Sequence, residues 1–572
     1  MAASLHLTPD RRIAGVLIPI FALRSEDDAG IGDTGLLRRF VDWAADAGFA
    51  LVQLLPINET GGDNSPYNAI SSMALDPTTL ELTPAALPDL LDEDVRAAEA
   101  AHGGRPTGDG PVRYSQVKPL KLALLRRAFE RFGRELGGSA GRVQSWLDFR
   151  RKNAAWLEGY TLFRALMDRE GGTECWDRWP EDRQTFAKAS VWEGSLPKAE
   201  QEAFAKTKAF FAYVQWIAYG QWKALKEHAA ARGVALMGDI PLGVSYYSAD
   251  FFTEPALFEQ GWSGGAPPEP YFKDDPFTQK WGQNWGIPVY DWAAMRRDGF
   301  RWWRQRIGGV RDLFHVFRID HILGFYRIYS FPWRPERNAE FLPLDADEAR
   351  ERCGGKVPGF KARGDDTWED RQANCALGEE LLRVMLEAAG DTRLIGEDLG
   401  TVPDYVRPNL ARLGIAGFKI PIWESDPRTG GVLPGGDYER LSLATYGTHD
   451  HEPLLAFWNR SNRLTPEERQ ELYKLAGFAG LSYEEVSGNL GEGVHDKLME
   501  ALFRSNSWIA VCMITDLLSR EERFNVPGTA ADSNWSQRMH VTLETLCGDP
   551  AQEARDERFR AMLARSGRIL PG

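Results

Sequence analysis

Cysteine is scarce in this chain: there are five in 572 residues (Cys175, Cys353, Cys375, Cys512 and Cys547), none in a C-x-x-C pair or a Cys/His cluster of zinc spacing. That argues against a disulfide scaffold and a structural metal, and for a reducing compartment, the cytoplasm. Long apolar runs are missing too. Nothing approaches the roughly 18 residues of a membrane span, and Met1–Arg12 lacks the apolar core of a secretion signal. There is no basic excess, since 68 Lys and Arg face 82 Asp and Glu for a net charge of −14. Binding to nucleic acid or to a membrane is therefore not expected, and a neutral partner is. No internal repeat or low-complexity tract is present.

Aromatic rings are plentiful, with 20 Trp, 16 Tyr and 29 Phe. Flat rings stack on sugar faces, but they are also ordinary core material, so composition does not choose between the two. Organisation says more. Eight apolar or β-branched runs end in polar residues: Ala14–Ile20, Ala50–Ile57, Val234–Pro241, Leu313–Asp320, Thr392–Glu397, Ile415–Ile422, Leu441–Thr448 and Trp508–Asp516. Amphipathic segments such as Gly35–Ala47, Phe211–Arg232 and Glu379–Ala389 alternate with them. This alternation predicts an α/β chain, a (β/α)8 TIM barrel whose chemistry sits at the carboxyl ends of its strands. One decorated catalytic domain, 1–572, accommodates the length. Lys118–Phe132, Arg142–Arg169 and Lys198–Arg232 carry apolar residues at helical spacing, which predicts a helical insertion over 58–233. A smaller insertion, 331–378, is expected to form loops and short helices. Gly61–Pro66 and Ser263–Pro268 are expected to be loops covering the active face.

Three strand ends carry acids. In Val316-Phe317-Arg318-Ile319-Asp320-His321, Arg318 and Asp320 share a face, and a guanidinium beside a carboxylate favours the charged form that a nucleophile needs. A purely structural Arg–Asp pair is the competing reading. The end of the next run, Gly396-Glu397-Asp398-Leu399-Gly400, supplies an acid that a semi-buried mouth near an ionised Asp would keep protonated, or else a solvated turn capped by Asp398. Thr448-His449-Asp450-His451-Glu452 is a run of polar residues that packing alone does not justify. Its H-x-H pair suits a metal in an amidohydrolase-like barrel, whereas Asp450 suits a substrate brace. A hydrolytic metal site wants about three protein ligands, and the fifth and sixth runs end in Glu397 and Pro421/Ile422 with no His nearby. No metal and no cofactor are therefore expected. The G-x-G-x-x-G match Gly30–Gly35 lacks the preceding strand that a nucleotide site requires and reads as a loop in which Asp33 or Thr34 caps a helix. Two carboxylates about 5–5.5 Å apart would serve a retaining glycosidic mechanism, and a third would stabilise its cationic transition state.

With these motifs in order, the chain resembles the 4-α-glucanotransferases of the amylomaltase or disproportionating-enzyme type, glycoside hydrolase family 77. The likeness runs through Gly15–Pro19, Gly30–Asp33, Ser65-Pro66-Tyr67, Gly238-Asp239-Ile240-Pro241, Gly282-Gln283-Asn284-Trp285-Gly286, Arg318–His321, Gly396–Gly400, Gly447–Asp450 and Asn525–Thr529. It implies Asp320 as nucleophile, Glu397 as acid/base and Asp450 as transition-state stabiliser. It also implies a stacking ring at Tyr67, hydroxyl contacts from Asp239, Arg318 and His449, Gln283 and Trp285 in a cover loop, and a substrate contact at Asn525. The partners implied are α-glucan donors and acceptor sugars. The wording is nearest to the plant cytosolic enzymes and their bacterial relatives, without their starch-binding modules. Two departures bear on specificity: His451-Glu452 where many members have Asn, and Pro267-Pro268-Glu269-Pro270-Tyr271-Phe272 in the cover tract. A retaining hydrolase and an inactive glucan-binding protein are the other readings of the same residues.

Overall fold

Short strands buried on both faces are what apolar runs flanked by helices produce, because each face must be covered. In the computed structural model, which describes residues 5–134, 140–268, 275–460, 464–529 and 533–568, all eight runs yield parallel strands. They are β1 (Ile13–Leu17), β2 (Leu51–Gln53), β3 (Ala235–Ile240), β4 (Val316–Ile319), β5 (Arg393–Gly396), β6 (Gly417–Lys419), β7 (Ser442–Ala444) and β8 (Ile509–Met513). Each pairs with its neighbour in chain order, and β1 also pairs with β8. Between β5 and β6 the ring is closed by a single parallel bridge, Ile395 to Ala416, with the Gly396 N–H donating to Ala416 O at 2.9 Å. The result is the expected barrel. The strands are shorter than the runs, so Asp320, Glu397 and Asp450 stand just past the ladder on the carboxyl-terminal rim.

Among the described residues, five α-helices lie between β2 and β3, Asp92–Ala101, Tyr114–Arg134, Ala140–Arg169, Phe186–Ser195 and Lys198–Ala231. The last belongs to two structures at once: its carboxyl-terminal half packs on the barrel, with Trp222 against Phe314. Buried polar groups tie the helices to the rim. The Tyr160 hydroxyl donates to Glu59 at 2.5 Å, Arg164 reaches the other Glu59 oxygen at 3.0 Å, and Gln215 exchanges two hydrogen bonds with the Leu75 backbone. Asp33 caps the helix Thr34–Asp46.

A second sheet corrects the loop expectations. Gln283–Tyr290, Phe258–Ala266, Ile328–Phe331 and Gly359–Lys361 form a four-stranded antiparallel sheet in that spatial order. Ser263–Ala266 is thus strand rather than loop, and the 331–378 segment contributes a strand beside its short helices. The glycines that suggested a loop allow close approach. A Cβ on Gly265 would stand 1.8 Å from Gln283 O, and one on Gly264 would meet Ile287 and Ile328 at 2.9 Å. Most of the Pro267–Phe272 tract falls on 269–274, outside the described residues. Gly61–Pro66 is an irregular turn, held by Lys118 Nζ on Gly61 O at 2.8 Å and by Glu174 accepting from Gly62 N–H at 3.0 Å.

The amino-terminal end of the barrel is closed by Arg568. Its buried guanidinium donates to the carbonyls of Ile13, Phe503, Ser505, Ser507 and Trp508 at 2.6–3.0 Å. Arg568→Ala strands these acceptors and is expected to cost on the order of 2–3 kcal/mol, read as a lower midpoint in urea. An unmoved midpoint would mean that water serves the carbonyls equally well.

Candidate active site

β4 is buried throughout and carries an arginine in its middle. The alternation of side chains sends Phe317 and Ile319 into the packing between barrel and helices and Arg318 into the barrel interior, where its guanidinium lies 5.7 Å from the Phe418 ring centroid. A buried guanidinium needs partners, and it has two. Nη1 donates to both oxygens of Asp239 at 2.7 and 2.8 Å, and Nη2 donates to Asp320 Oδ1 at 2.7 Å. Burial favours loss of its proton, but the two carboxylates outweigh burial and hold the proton firmly. Asp239 is the penultimate residue of β3, so the fork also locks two neighbouring strand ends.

From Asp239 the contacts continue around the rim. The Tyr67 hydroxyl donates to Asp239 Oδ2 at 2.7 Å and lies 3.3 Å from His449 Nδ1, with the two rings stacked at 4.8 Å. Burial and the Asp239 charge keep Tyr67 a neutral phenol. His449 Nε2 is 3.3 Å from Asp450 Oδ1, which also accepts from the Asn525 amide at 2.6 Å. Burial alone would raise the Asp450 carboxyl, yet His449, the Asn525 amide and Arg318 hold it below the usual aspartate range.

Glu397 joins this network through the backbone. His321 adopts a left-handed conformation, φ 45°, uncommon for a residue with a side chain. The turn lets its N–H donate to Glu397 Oε2 at 2.8 Å, while Leu399 N–H donates to Oε1 at 3.1 Å. Burial pushes the Glu397 carboxyl up to about 7; Arg318 opposes the rise and the Asp320 charge adds to it.

Asp320, Glu397, Asp450, Tyr67, Arg318, His449, Gln283, Trp285 and Asn525 all line one cavity of about 800 Å³ at the carboxyl-terminal mouth. Asp239 does not line it; both its oxygens are taken by Arg318 and Tyr67, so it sits as a brace beneath the site instead of facing the opening. Gln283 and Trp285 belong to the antiparallel sheet, not to a loop, and the indole N–H bonds the Gln283 side chain at 3.2 Å. The H-x-H pair is split between partners. His449 faces Tyr67 and Asp450, whereas His451 Nδ1 accepts from Thr448 N–H at 3.0 Å and burial pushes its pKa down to about 4. No group of three or more His, Cys, Asp or Glu side chains able to hold a metal occurs among the described residues.

Sequence reasoning missed several participants. Trp423 and Trp535 line the cavity. Arg523 donates to the Asp450 carbonyl, and to the Asn525 carbonyl at 2.7 Å. Trp423 follows directly after the sixth apolar run and could have been flagged by position; the left-handed His321 leaves no trace in composition.

A family model described as 4-alpha-glucanotransferase, glycoside hydrolase family 77, matches residues 18–543. The chain belongs to this family. It is 30% identical over 545 residues to the 4-alpha-glucanotransferase of Chlamydia pneumoniae, covering 93% of this chain and 92% of that one. To 4-alpha-glucanotransferase DPE2 of Oryza sativa subsp. japonica it is 26% identical, covering 98% of this chain and 70% of the rice protein. Among solved structures, the amylomaltase from Streptococcus agalactiae in complex with acarbose superposes with a TM-score of 0.76 at 22% identity, covering 98% of this chain and all of that one; this likeness is one of fold.

Because the Asp320 charge helps raise Glu397, Asp320→Asn is expected to let Glu397 ionise at lower pH than in the unaltered protein. Infrared titration of the carboxyl band checks this. A band that titrates at the same pH or higher would show that the Asp320 charge does not raise Glu397.

Proposed function

We propose that this family 77 protein transfers α-1,4-glucan segments by a retaining double displacement. The observation that carries the reading is the pairing of a carboxylate gripped by a buried guanidinium, Asp320, with an acid titrating near neutrality, Glu397, joined to it through the amide of the intervening residue. In the first step an Asp320 oxygen attacks C1 of the donor, the glycosidic C1–O bond breaks, and the Glu397 proton goes to the departing 4-oxygen. A β-glucosyl ester of Asp320 remains. In the second step Glu397, now ionised, takes the proton from the 4-hydroxyl of an acceptor glucan. That oxygen attacks C1, the ester bond breaks, and the α-linkage returns. Asp450, kept charged by His449 and Asn525, stabilises the positive sugar in both steps. The names of the relatives support a glucan donor and a sugar acceptor over water.

All five cysteines are free, and among the described residues no helix is long and apolar enough to cross a membrane. The free cysteines support a cytoplasmic location.

With maltotriose as sole substrate the protein is expected to release glucose and build a ladder of longer oligosaccharides; glucose and maltose without a ladder would make it a hydrolase. Asp320→Ala is expected to lower turnover by several orders of magnitude, and near-normal turnover would remove Asp320 as nucleophile. The first step needs protonated Glu397, the form present below its pKa. Donor kcat/KM should therefore hold on the acid side and fall about tenfold per pH unit above roughly 7. A flat profile to pH 9 would exclude Glu397 as the acid.

A further inference from the structure

Trp423 is 47% exposed, yet it faces the cavity that holds the three carboxylates. It stands in the loop after β6, the strand between those that lead to Glu397 and Asp450. The loop is braced. Trp423 N–H closes a turn on Ile420 O at 2.9 Å, and Lys419 holds Glu424 at 3.1 Å and Glu439 at 3.0 Å. Ser425 pairs with Val432 and accepts from Lys474 Nζ at 3.0 Å. The indole tilts against His451 at 5.2 Å, and among the described residues it makes no hydrogen bond. A half-open ring on a fixed loop presents an apolar face to whatever enters the cavity, at little cost in ordering.

A second open indole, Trp285, is 40% exposed and lies edge-on to His321 at 4.9 Å, the residue after Asp320. The carboxylates are thus bracketed by two rings, one beside each histidine that follows an acid. Their sides differ. Under the proposed mechanism the chain of polar contacts from Asp450 through His449, Tyr67 and Asp239 to Arg318 and Asp320 faces the sugar whose C1 reacts. Glu397 must reach the bridging oxygen, and beyond that oxygen stands first the departing sugar and then the incoming one. Leu399 and Trp423 both line the cavity, and the strand order puts the loop that carries Trp423 next to Glu397 on the side away from Asp320.

We propose that Trp423 is the stacking platform for the acceptor glucose ring and a determinant of acceptor preference; this rests on the transglycosylase reading. The test separates the two half-reactions in the full chain. A 4-deoxy-α-maltotriosyl fluoride donor loads the enzyme without a sugar on the acceptor side and, lacking the 4-hydroxyl, cannot accept transfer itself. Trp423→Ala is expected to raise the KM for maltose as acceptor about five- to tenfold, the range of one lost ring contact, with the first-turnover burst of fluoride, which precedes acceptor attack, slowed far less. Trp423→Phe should restore the acceptor KM to within about twofold. Unchanged acceptor KM in Trp423→Ala, or a first-turnover fluoride burst slowed as much as transfer, overturns the assignment. Should the unaltered protein yield no transfer product at all, the transglycosylase reading fails and this inference with it; normal transfer with an unmoved KM in the variant sinks only the inference.

Discussion

The site depends on one buried cation. Arg318 lies inside the barrel, almost wholly buried at the floor of the cavity, and the two carboxylates it holds are what make that position tolerable. The arrangement works in both directions. Asp239 and Asp320 are like charges on adjacent strand ends, and without the guanidinium between them they would repel. With it, Asp320 is fixed in orientation, the β3 and β4 ends are clamped, and the Tyr67 hydroxyl is oriented by the far oxygen of Asp239. A lysine could neutralise one partner but could not span the fork, because its donors diverge from a single atom.

The barrel turns this local constraint into a site. β4 and β5 are hydrogen-bonded neighbours, so Asp320 and Glu397 leave adjacent strands at nearly the same height: Asp320 N–H still bonds Ile240 O and Glu397 N–H still bonds Ile319 O, each at 2.9 Å. Convergence of distant residues is therefore a matter of strand register and needs no mobile element. The left-handed turn at His321 adds the one contact that register does not provide, by directing an amide at Glu397.

Legibility followed the physics of each element. All eight barrel strands were readable, because strands covered on both faces must be apolar runs. The three acids stood out because each lies at or just past the carboxyl end of such a run, where a barrel carries its chemistry. The antiparallel sheet was not readable: its longest strand, Phe258–Ala266, contains three glycines, and a residue chosen for close strand contact has the same letter as one chosen for a loop. The role of Asp239 was legible only in part. Its position at a strand end was clear, but whether its oxygens face the opening or a neighbouring guanidinium depends on side-chain geometry three strands wide. Trp423 escaped for the opposite reason, since an exposed tryptophan and a core tryptophan are identical in a sequence rich in both.

Desolvation links the two demands of transfer chemistry. Under the proposed mechanism Glu397 is an acid in one step and a base in the next, and a group with both duties serves best when its pKa lies near the ambient pH. Burial supplies most of the rise to about 7, with Asp320 adding and Arg318 subtracting. Under the same proposal, exclusion of water must also protect the ester on Asp320, whose side chain is 31% exposed at the cavity, while an acceptor sugar arrives. A site opened enough to admit water freely would lower the Glu397 pKa as it did so, weakening the donor step along with the preference for sugar. Acid/base poise and selectivity against hydrolysis are thus not independent properties to be tuned separately. Both follow from how completely the walls around the cavity, including the antiparallel sheet that carries Gln283 and Trp285, shield two carboxylates on neighbouring strands.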